Sequence, residues 1–307
     1  MNKEARIQSF LHRVKPEDLS QNYLKGLIAL AKDEDLKGAG LNKPLKKHQD
    51  VTSAMLDQRG EGSAILNARE VLVLCGLPLV PPVLNAYHKQ LRFTPVVEDG
   101  TTLNAGDSIG EIKGPVSELL MAERVLLNFL QFLSGVASET KKYVEVLGAS
   151  STRLLDTRKT TPGYRMLQKY AVACGGGWNH RLGLFDRVML KDNHLAADKA
   201  QSGDSLTQLV QRARTLNPEL LIEVEVDHLD QIPAVLAAEP DKLMLDNFRL
   251  SDLQSAVDII GDRACTEATG NITLTKLPDL CDIGLDFVST GALVHKSVWK
   301  DIGLDWS

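Results

Sequence analysis

Residues 220–247 read "LLIEVEVDHLDQIPAVLAAEPDKLMLDN". Two apolar runs in this stretch, "LLIEVEV" and "KLML", have the length and composition of buried strands. Between them, "HLDQIPAVLAA" repeats Leu, Ile and Val at intervals of three to four residues, which is the helical period. A strand, a helix and a strand in such close succession are typical of two parallel strands joined by a crossover helix.

Four further apolar runs repeat this pattern in the second half of the chain: "RLL" before Asp156, "RVML" before Lys191, "RACT" before Glu267 and "LDFV" before Ser289. Helical-period segments separate the later runs, namely "SLTQLVQRARTL", "LSDLQSAVDII" and "LTKLPDLC", and Ser251 is a candidate N-cap for the second of them. From Leu190 to Val288 the predicted strands follow one another at steps of 34, 21, 21 and 22 residues. This spacing predicts an α/β fold, a β/α barrel of parallel strands.

The first part of the chain has a different pattern. "FTPVVEDGTTLNAGDSIGEIKGPVSELL", residues 93–120, contains short alternating strands separated by turn signals, which predict a small sheet. "SELLMAERVLLNFLQFLSG" then predicts a long, largely buried helix, with Ser117 as its N-cap and Gly135 as its C-terminal stop. We therefore expect an N-terminal α+β open-sandwich domain over residues 1–125, joined by the C-terminal segment 293–307, and a barrel domain over residues 126–292.

Composition and charge exclude several classes of protein. Of the 307 residues, 43% are apolar and 24% are charged, close to the averages of soluble globular proteins and unlike disordered, fibrous or membrane-spanning chains. The first residues, "MNKEARIQSF", lack the apolar core of a signal peptide. A net charge of -5 disfavours a nucleic-acid partner, and four cysteines without C-x-x-C spacing are typical of reduced thiols rather than of a metal site. We expect a cytoplasmic protein with neither nucleic-acid nor membrane partners.

The predicted barrel strands end in charged residues, although any one of these is equally typical of a solvated loop. In such barrels the loops after the strands surround one mouth, so we expect the series to share a polar cavity: Asp156, Arg158, Lys159, Lys191, Glu225, Asp246 and Glu267. The glycine-rich segment "CGGGWNHR" adds His180 and Arg181. Several Arg with one or two Lys suit a ligand that carries more than one carboxylate or phosphate group.

The ordered motifs of residues 115–307 resemble those of the quinolinate phosphoribosyltransferase family. They are "AERVLLNFLQFLSGVAS", "LLDTRKTTPG", "KYAVACGGGWNHRLGLFD", "LKDNH", "EVEVD", "MLDNF", "EATGNIT" and "STGAL". The resemblance implies that the substrates are quinolinate and phosphoribosyl pyrophosphate. It further implies that the products are nicotinate mononucleotide, pyrophosphate and carbon dioxide, on the route to NAD.

The resemblance also implies roles for single residues. Arg124 acts in the site of the partner subunit of a homodimer, with further assembly of dimers into hexamers left open; the alternative for Arg124 is an internal ion pair with Glu118 or Glu123. Glu225 and Asp246 face the ribose hydroxyls and a magnesium ion, and together with Lys159 they are the expected catalytic residues. The substrate-binding set is Arg124, Thr157, Arg158, Lys159, His180, Arg181, Lys191, Glu225 and Asp246, and the phosphate-binding set is Thr269, Gly270, Asn271, Thr290, Gly291 and Ala292.

Other functions remain open from the residues alone. A related pyrophosphorylase with another acceptor, including the paralogue associated with molybdenum transport, fits the same fold. A non-catalytic phosphate- or nucleotide-binding barrel also fits, although it has no need of Glu225 and Asp246. A Schiff-base aldolase using Lys191 is a third alternative. The family's acidic N-terminal segment "EDxGxGDxT" is replaced here by a basic stretch, which leaves residues 32–52 as an unassigned loop.

Overall fold

The structure, a computed structural model, describes residues 2–43, 50–55, 60–191 and 203–306. These residues divide into two compact units, each assembled from separate segments of the chain. The barrel unit contains the described residues of 1–13, 140–165 and 177–296, and the N-terminal unit contains those of 14–139, 166–176 and 297–307. The C-terminal segment from residue 297 therefore groups with the N-terminal sheet rather than with the barrel.

The N-terminal unit contains a four-stranded antiparallel sheet. Strand β1 (Glu61–Ala68) lies between β12 (Ile302–Trp306) and β5 (Ser108–Pro115), and β3 (Arg92–Pro95) pairs with the other edge of β5. A separate two-stranded ladder joins β2 (Leu72–Val73) to β4 (Thr102–Leu103). The helices of the first 147 residues are α1 (Lys3–Phe10), α2 (Gln21–Lys37), α3 (Val80–Tyr87) and α4 (Val116–Leu147).

Helix α4 corrects the predicted helix of residues 117–135 at both ends. It begins at Val116, so Ser117 is not its N-cap, and it continues past Gly135 to Leu147. A Cβ at Gly135 would lie 2.4 Å from the carbonyl oxygen of Val298, so this glycine lets the C-terminal segment approach the helix closely. By length and composition α4 could cross a membrane, but 61% of its most apolar window is buried inside the structure, as in the core helix of a globular protein.

The start of the chain also differs from the sequence-based expectation. Residues 32–37, expected in a loop, form the last turns of α2, and Gly38 ends the helix in the left-handed conformation. Residues 44–49 of the predicted loop lie outside the described residues. Helix α1 belongs to the barrel unit, where Phe10 packs edge-on against Phe287.

The barrel unit contains the six predicted parallel strands. They are β6 (Arg153–Leu155), β7 (Val188–Leu190), β8 (Ile222–Val226), β9 (Lys242–Asp246), β10 (Cys265–Thr269) and β11 (Phe287–Ser289), in the spatial order β6-β11-β10-β9-β8-β7. Their pairings are parallel, which confirms the predicted α/β class with parallel strands. Trp178 forms a further parallel bridge to Leu155.

Helices follow the strands, mostly as predicted. They are α5 (Arg165–Cys174), α6 (Gly203–Leu216), α7 (Ile232–Ala237), α8 (Leu250–Ile260) and α9 (Ala292–His295). The predicted N-cap Ser251 is wrong, because α8 begins one residue earlier and Arg249 occupies the cap position. The segment "LTKLPDLC" forms only a short 3-10 helix over Leu277–Leu280.

The strand register determines which side chains share a level of the barrel. Glu223 of β8 lies beside Lys242 of β9, and Glu225 lies beside Met244. In the same register, Thr269 of β10 lies beside Asp246 at the C-terminal end of its strand. Side chains two residues apart point to the same face of a strand. Glu223 and Lys242 therefore lie deeper in the barrel, whereas Asp246 and Thr269 lie at the C-terminal ends of their strands.

Candidate active site

A cavity of about 240 Å³ lies in the barrel unit at the C-terminal ends of the parallel strands. Four strands contribute lining residues through Met189 of β7, Met244 of β9, Thr269 at the end of β10 and Ser289 at the end of β11. Two Arg and two Lys side chains line the same space together with His180, so it is strongly positive. The full lining set is Thr157, Arg158, Lys159, His180, Arg181, Met189, Lys191, Met244, Thr269 and Ser289.

Buried Asp156 fixes the loop that carries His180 and Arg181. The Asp156 side chain, in a residue only 1% exposed, accepts the backbone N–H of His180 at 2.7 Å and the side-chain amide of Asn179 at 2.9 Å. Its own N–H donates to the carbonyl of Trp178. The expectation that Asp156 lines the cavity is therefore wrong: both of its carboxylate oxygens hold the loop in place.

Two guanidinium groups of the cavity have unused hydrogen-bonding capacity. The Nε of Arg158 is buried and has no hydrogen-bond partner among the described residues. Arg181 is only 6% exposed, and within the described part of the chain its guanidinium forms no ion pair. Burial, and then the charge of nearby Arg158, lower the pKa of Arg181. The two cations therefore repel each other, so a negatively charged ligand between them would be stabilising.

Glu225 and Asp246 are not among the lining residues of the cavity, but each lies beside a residue that is, Lys191 and Thr269 respectively. The ammonium of Lys191, just after β7, lies 2.7 Å from Oε2 of Glu225. Asp246, at the end of β9, accepts a hydrogen bond from the side chain of Asn247, which in turn accepts one from Asn271. Because Lys191 is held in an ion pair, the structure does not favour it as a neutral amine for Schiff-base chemistry.

The two late loops approach these groups closely. Gly270 adopts a φ of +83°, and a Cβ on it would lie 2.5 Å from Oδ1 of Asn247. A Cβ on Gly291 would lie 2.8 Å from Cδ of Lys159, so this glycine gives space to the lysine side chain. The N–H groups of Thr290 and Ala292 donate to the carbonyl of Leu155 and to the Thr290 hydroxyl, respectively. Binding of a phosphate by these two amides stays a prediction.

Arg124 belongs to the N-terminal unit, on α4, and is exposed in the single chain. Among the described residues it forms no ion pair with Glu118 or Glu123, so the structure does not support the alternative of an internal salt bridge. Trp178, which follows the three glycines, does not line the cavity. Its ring is stacked under the guanidinium of Arg13 at 3.9 Å.

The sequence reasoning missed a group of charges beneath the cavity. Lys242, Glu223 and Glu267 are 0% exposed and Arg187 is 7% exposed. Glu267, expected in the cavity, instead lies 2.5 Å from the Lys242 ammonium. The available signal was Lys242, a charged residue at the start of the otherwise apolar run "KLML". Met189, Met244 and Ser289 complete the lining, and single apolar or hydroxyl residues carry no comparable signal.

A second group of potential metal ligands lies in the N-terminal unit. Ligand atoms of Cys75, Asp99 and Cys174 lie within 4.8 Å of one another. The Asp99 carboxylate already accepts hydrogen bonds from the Tyr170 hydroxyl at 2.7 Å and from the N–H groups of Gly76 and Leu77. These bonds account for the orientation of Asp99 without an ion.

Family models match most of the chain. The model for quinolinate phosphoribosyl transferase, C-terminal domain, matches residues 136–305, and the model for quinolinate phosphoribosyl transferase, N-terminal domain, matches residues 50–134. Both matches follow the order of the motifs along the chain. The matched residues include all six parallel strands of the barrel unit.

Individual relatives agree with the family models. A probable carboxylating nicotinate-nucleotide pyrophosphorylase of Synechocystis sp. is 37% identical over 83% of this chain and 86% of its own length. A decarboxylating quinolinate phosphoribosyltransferase of Nicotiana tabacum is 34% identical over 97% of this chain and 86% of its own. Among solved structures, the nicotinate-nucleotide pyrophosphorylase of Francisella tularensis superimposes with a TM-score of 0.85 at 35% identity, covering 97% of this chain and 100% of that chain.

Proposed function

This chain belongs to the quinolinate phosphoribosyltransferase family, and we propose that the barrel cavity is where it transfers a phosphoribosyl group to quinolinate with release of carbon dioxide. The observation that carries this assignment to the cavity is the pair Arg158 and Arg181, two guanidinium groups without ion-pair partners among the described residues. Quinolinate has two adjacent carboxylates, and each of the two Arg can donate hydrogen bonds to one of them. Nicotinate, with one carboxylate, would leave one guanidinium unpaired.

The transfer step requires separation of charge at the ribose. The pyridine nitrogen of quinolinate attacks the anomeric carbon of phosphoribosyl pyrophosphate while the bond to pyrophosphate breaks. Positive charge develops on the sugar, and Glu225 and Asp246 at the rim are suited to stabilise it and to bind the ribose hydroxyls. Lys159 and Lys191 are suited to the negative charge of the phosphate groups. After transfer, the carboxylate next to the positive ring nitrogen leaves as carbon dioxide: the electron pair of the broken bond stays on the ring carbon, where the adjacent positive nitrogen stabilises it, and this carbon then takes a proton from water.

A magnesium ion is part of the proposal. Two carboxylates at one rim, Glu225 and Asp246, suit this ion, which proteins commonly hold through one or two carboxylates together with substrate phosphates. When bound, the ion would neutralise charge on the departing pyrophosphate. Lys191 already pairs with Glu225, so this lysine holds the carboxylate in position before the substrates enter.

The phosphate of the ribose 5' position is assigned to the late loops. Thr269 lines the cavity, and Gly270, Asn271, Thr290, Gly291 and Ala292 continue from the ends of β10 and β11. In barrels of this type the loops after the last two strands are a common phosphate site. The left-handed conformations of Gly270 and Asn271 support a tight turn of backbone N–H groups there.

A cytoplasmic homodimer completes the proposal, with Arg124 acting in the site of the partner. Its exposure and its lack of an ion pair among the described residues agree with that role. Mixing an Arg124→Ala variant with a Lys159→Ala variant tests it. Mixed dimers would contain one site with both residues intact, so activity should return on mixing; two variants that stay inactive would contradict a shared site.

One assay tests the reaction itself. Purified protein is given quinolinate, phosphoribosyl pyrophosphate and magnesium, and the release of both carbon dioxide and pyrophosphate is measured, with nicotinate, whose transfer would release pyrophosphate alone, as the control acceptor. We expect release with quinolinate only. Arg158→Ala should raise the KM for quinolinate on the order of a hundredfold, since losing one partner of a buried charge pair costs roughly 2–5 kcal/mol. Equal use of nicotinate, or an unchanged KM in the variant, would refute the assignment.

A further inference from the structure

Beneath the cavity lies a buried charge cluster, formed by Glu223, Glu267, Lys242 and Arg187. We propose that this cluster positions His180 as a neutral ring, protonated on Nε2, and that His180 in turn positions Arg181. The inference rests on the proposed function, because Arg181 is one of the two residues assigned to the quinolinate carboxylates. It changes the role of His180 from a cationic substrate contact to a positioning residue.

The charges of the cluster balance. The Lys242 ammonium lies 3.1 Å from Glu223 Oε1 and 2.5 Å from Glu267 Oε2. Arg187 lies 3.2 Å from Glu223 Oε1 and donates a second hydrogen bond to the carbonyl of Phe10 at 3.0 Å. Two carboxylates therefore meet two cations. A further positive charge on His180 would leave a buried cluster with an uncompensated charge, which is costly.

The rings of Phe10 and Phe287 close this cluster from below. The Lys242 ammonium lies 4.4 Å from the centre of the Phe10 ring and 5.2 Å from that of Phe287, and the Arg187 guanidinium lies 5.0 Å from Phe10. Aromatic faces attract both cations and keep water away from them. The low dielectric that results strengthens each ion pair and raises the free-energy cost of any uncompensated charge in the cluster.

The backbone of Arg181 selects the tautomer of His180. Its N–H donates to Nδ1 of His180 at 2.7 Å, so Nδ1 must keep a lone pair and the proton must lie on Nε2. Nε2 is directed at the cluster, 3.4 Å from Glu267 Oε2 and 3.6 Å from Glu223 Oε2. A doubly protonated ring would lose the bond to Arg181. On its backbone side, the N–H of His180 donates to the carboxylate of Asp156.

A chain of contacts thus leads from the barrel interior to the ligand. The cluster favours the proton on Nε2 of His180, so Nδ1 is unprotonated and accepts the Arg181 N–H. This hydrogen bond fixes the backbone of Arg181 and therefore the position of its Cα. His180 itself is only 4% exposed. Its Nδ1 accepts the Arg181 N–H and its Nε2 faces two buried carboxylates, so the positive wall of the cavity comes from the Arg and Lys side chains.

The tautomer can be measured in the unmodified protein without substrate. Protein with 15N-labelled histidine is examined by NMR at neutral pH, and the His180 signals among the seven histidines are assigned with a His180→Asn variant. We expect one protonated nitrogen, Nε2, and one unprotonated nitrogen, Nδ1. Protons on both nitrogens, or on Nδ1 alone, would overturn the inference. This result does not depend on the substrate, so it stands apart from a failed quinolinate assay.

Charge rescue tests the link to binding. Lys242→Met leaves the cluster with excess negative charge, so we expect His180 to gain a proton and the KM for quinolinate to rise on the order of a hundredfold, the cost of misplacing a binding group by about 1 Å. The KM for phosphoribosyl pyrophosphate should change much less. Lys242→Met combined with Glu267→Gln restores neutrality and should recover the tautomer and most of the quinolinate affinity.

The matched control is Lys276→Met, which removes an exposed lysine of the same unit and should leave both KM values unchanged. If Lys242→Met alone does not fold, the doubly substituted protein still provides the measurement. A double variant that folds but binds quinolinate no better than the single variant, or a single variant with wild-type KM, would contradict the role of charge balance. Recovery in the double variant would support it.

Discussion

Replacing Gly135 by Ala should destabilise the protein, against the usual preference of helices. In a free helix interior this change stabilises by about 1 kcal/mol, because Ala loses less backbone entropy than Gly. Here the new Cβ would lie 2.4 Å from the carbonyl oxygen of Val298, 3.0 Å from its carbonyl carbon and 3.2 Å from Cα of Trp299. These are backbone atoms, so the C-terminal segment must move as a whole.

Overpacking of this kind typically costs about 1–3 kcal/mol and can cost more. Backbone atoms cannot rotate away from the new Cβ, so we expect a cost in the upper part of this range, about 2–3 kcal/mol. Subtracting a helix gain of about 1 kcal/mol leaves a net loss of about 1–2 kcal/mol in the free energy of unfolding, or a fall of roughly 2–8 °C in Tm. Differential scanning calorimetry measures the change.

Gly26→Ala is the matched control for this change. Gly26 lies on the exposed side of α2 in the same unit, and a Cβ there would meet no atom within 4 Å. Gly26→Ala should therefore stabilise by about 0.5–1 kcal/mol. If both variants raised Tm by similar amounts, the close approach of residues 298–299 to α4 would be wrong.

Three further predictions concern the cavity, the buried cluster and the thiols. Gly291→Ala should displace Lys159, whose Cδ would lie 2.8 Å from the new Cβ, and reduce kcat/KM about tenfold or more in the quinolinate assay. Burial opposes ionisation of Glu267, but Lys242 outweighs burial and holds the pKa of Glu267 well below its usual value. The ionised Glu267 therefore stabilises the folded state fully above about pH 4.3, and this contribution to the free energy of unfolding is lost as the pH falls toward the folded-state pKa. Acid titration followed by circular dichroism should be less steep for Glu267→Gln than for the wild type. Burial raises the pKa of the Cys75 thiol, so iodoacetamide at about pH 8 should label it only after unfolding, as mass spectrometry can measure.

Much of the barrel could be predicted because its signals are local. An apolar run of three to seven residues, a helical period and a charged residue at the strand end are properties of neighbouring positions, and all six predicted strands are present. The rule that loops after parallel strands share one mouth then placed Arg158, Lys159 and Lys191 at one cavity, where the structure has them. The order of the motifs indicated the family for the same reason.

Predictions failed where contacts with a segment distant in sequence determine the role of a residue. Gly135 was expected to end the helix, yet it lies inside α4. A glycine is needed there because residues 298–299, far away in sequence, approach the helix at this point. A charge after a strand was expected in the cavity, yet Asp156 holds a loop instead. Both outcomes depend on neighbours that the local sequence does not contain.

By itself, the sequence determined the class of fold, the order of strands and helices, and the set of cations and carboxylates available at the barrel mouth, because periodicity and residue type are written along the chain. Only the tertiary structure decided which charges neutralise one another. Glu223, Lys242 and Glu267 come from three different strands and meet only through their register. Coulomb interactions depend on distance and burial in space rather than on separation in sequence, so the protonation of His180 and the placement of Arg181 follow from packing.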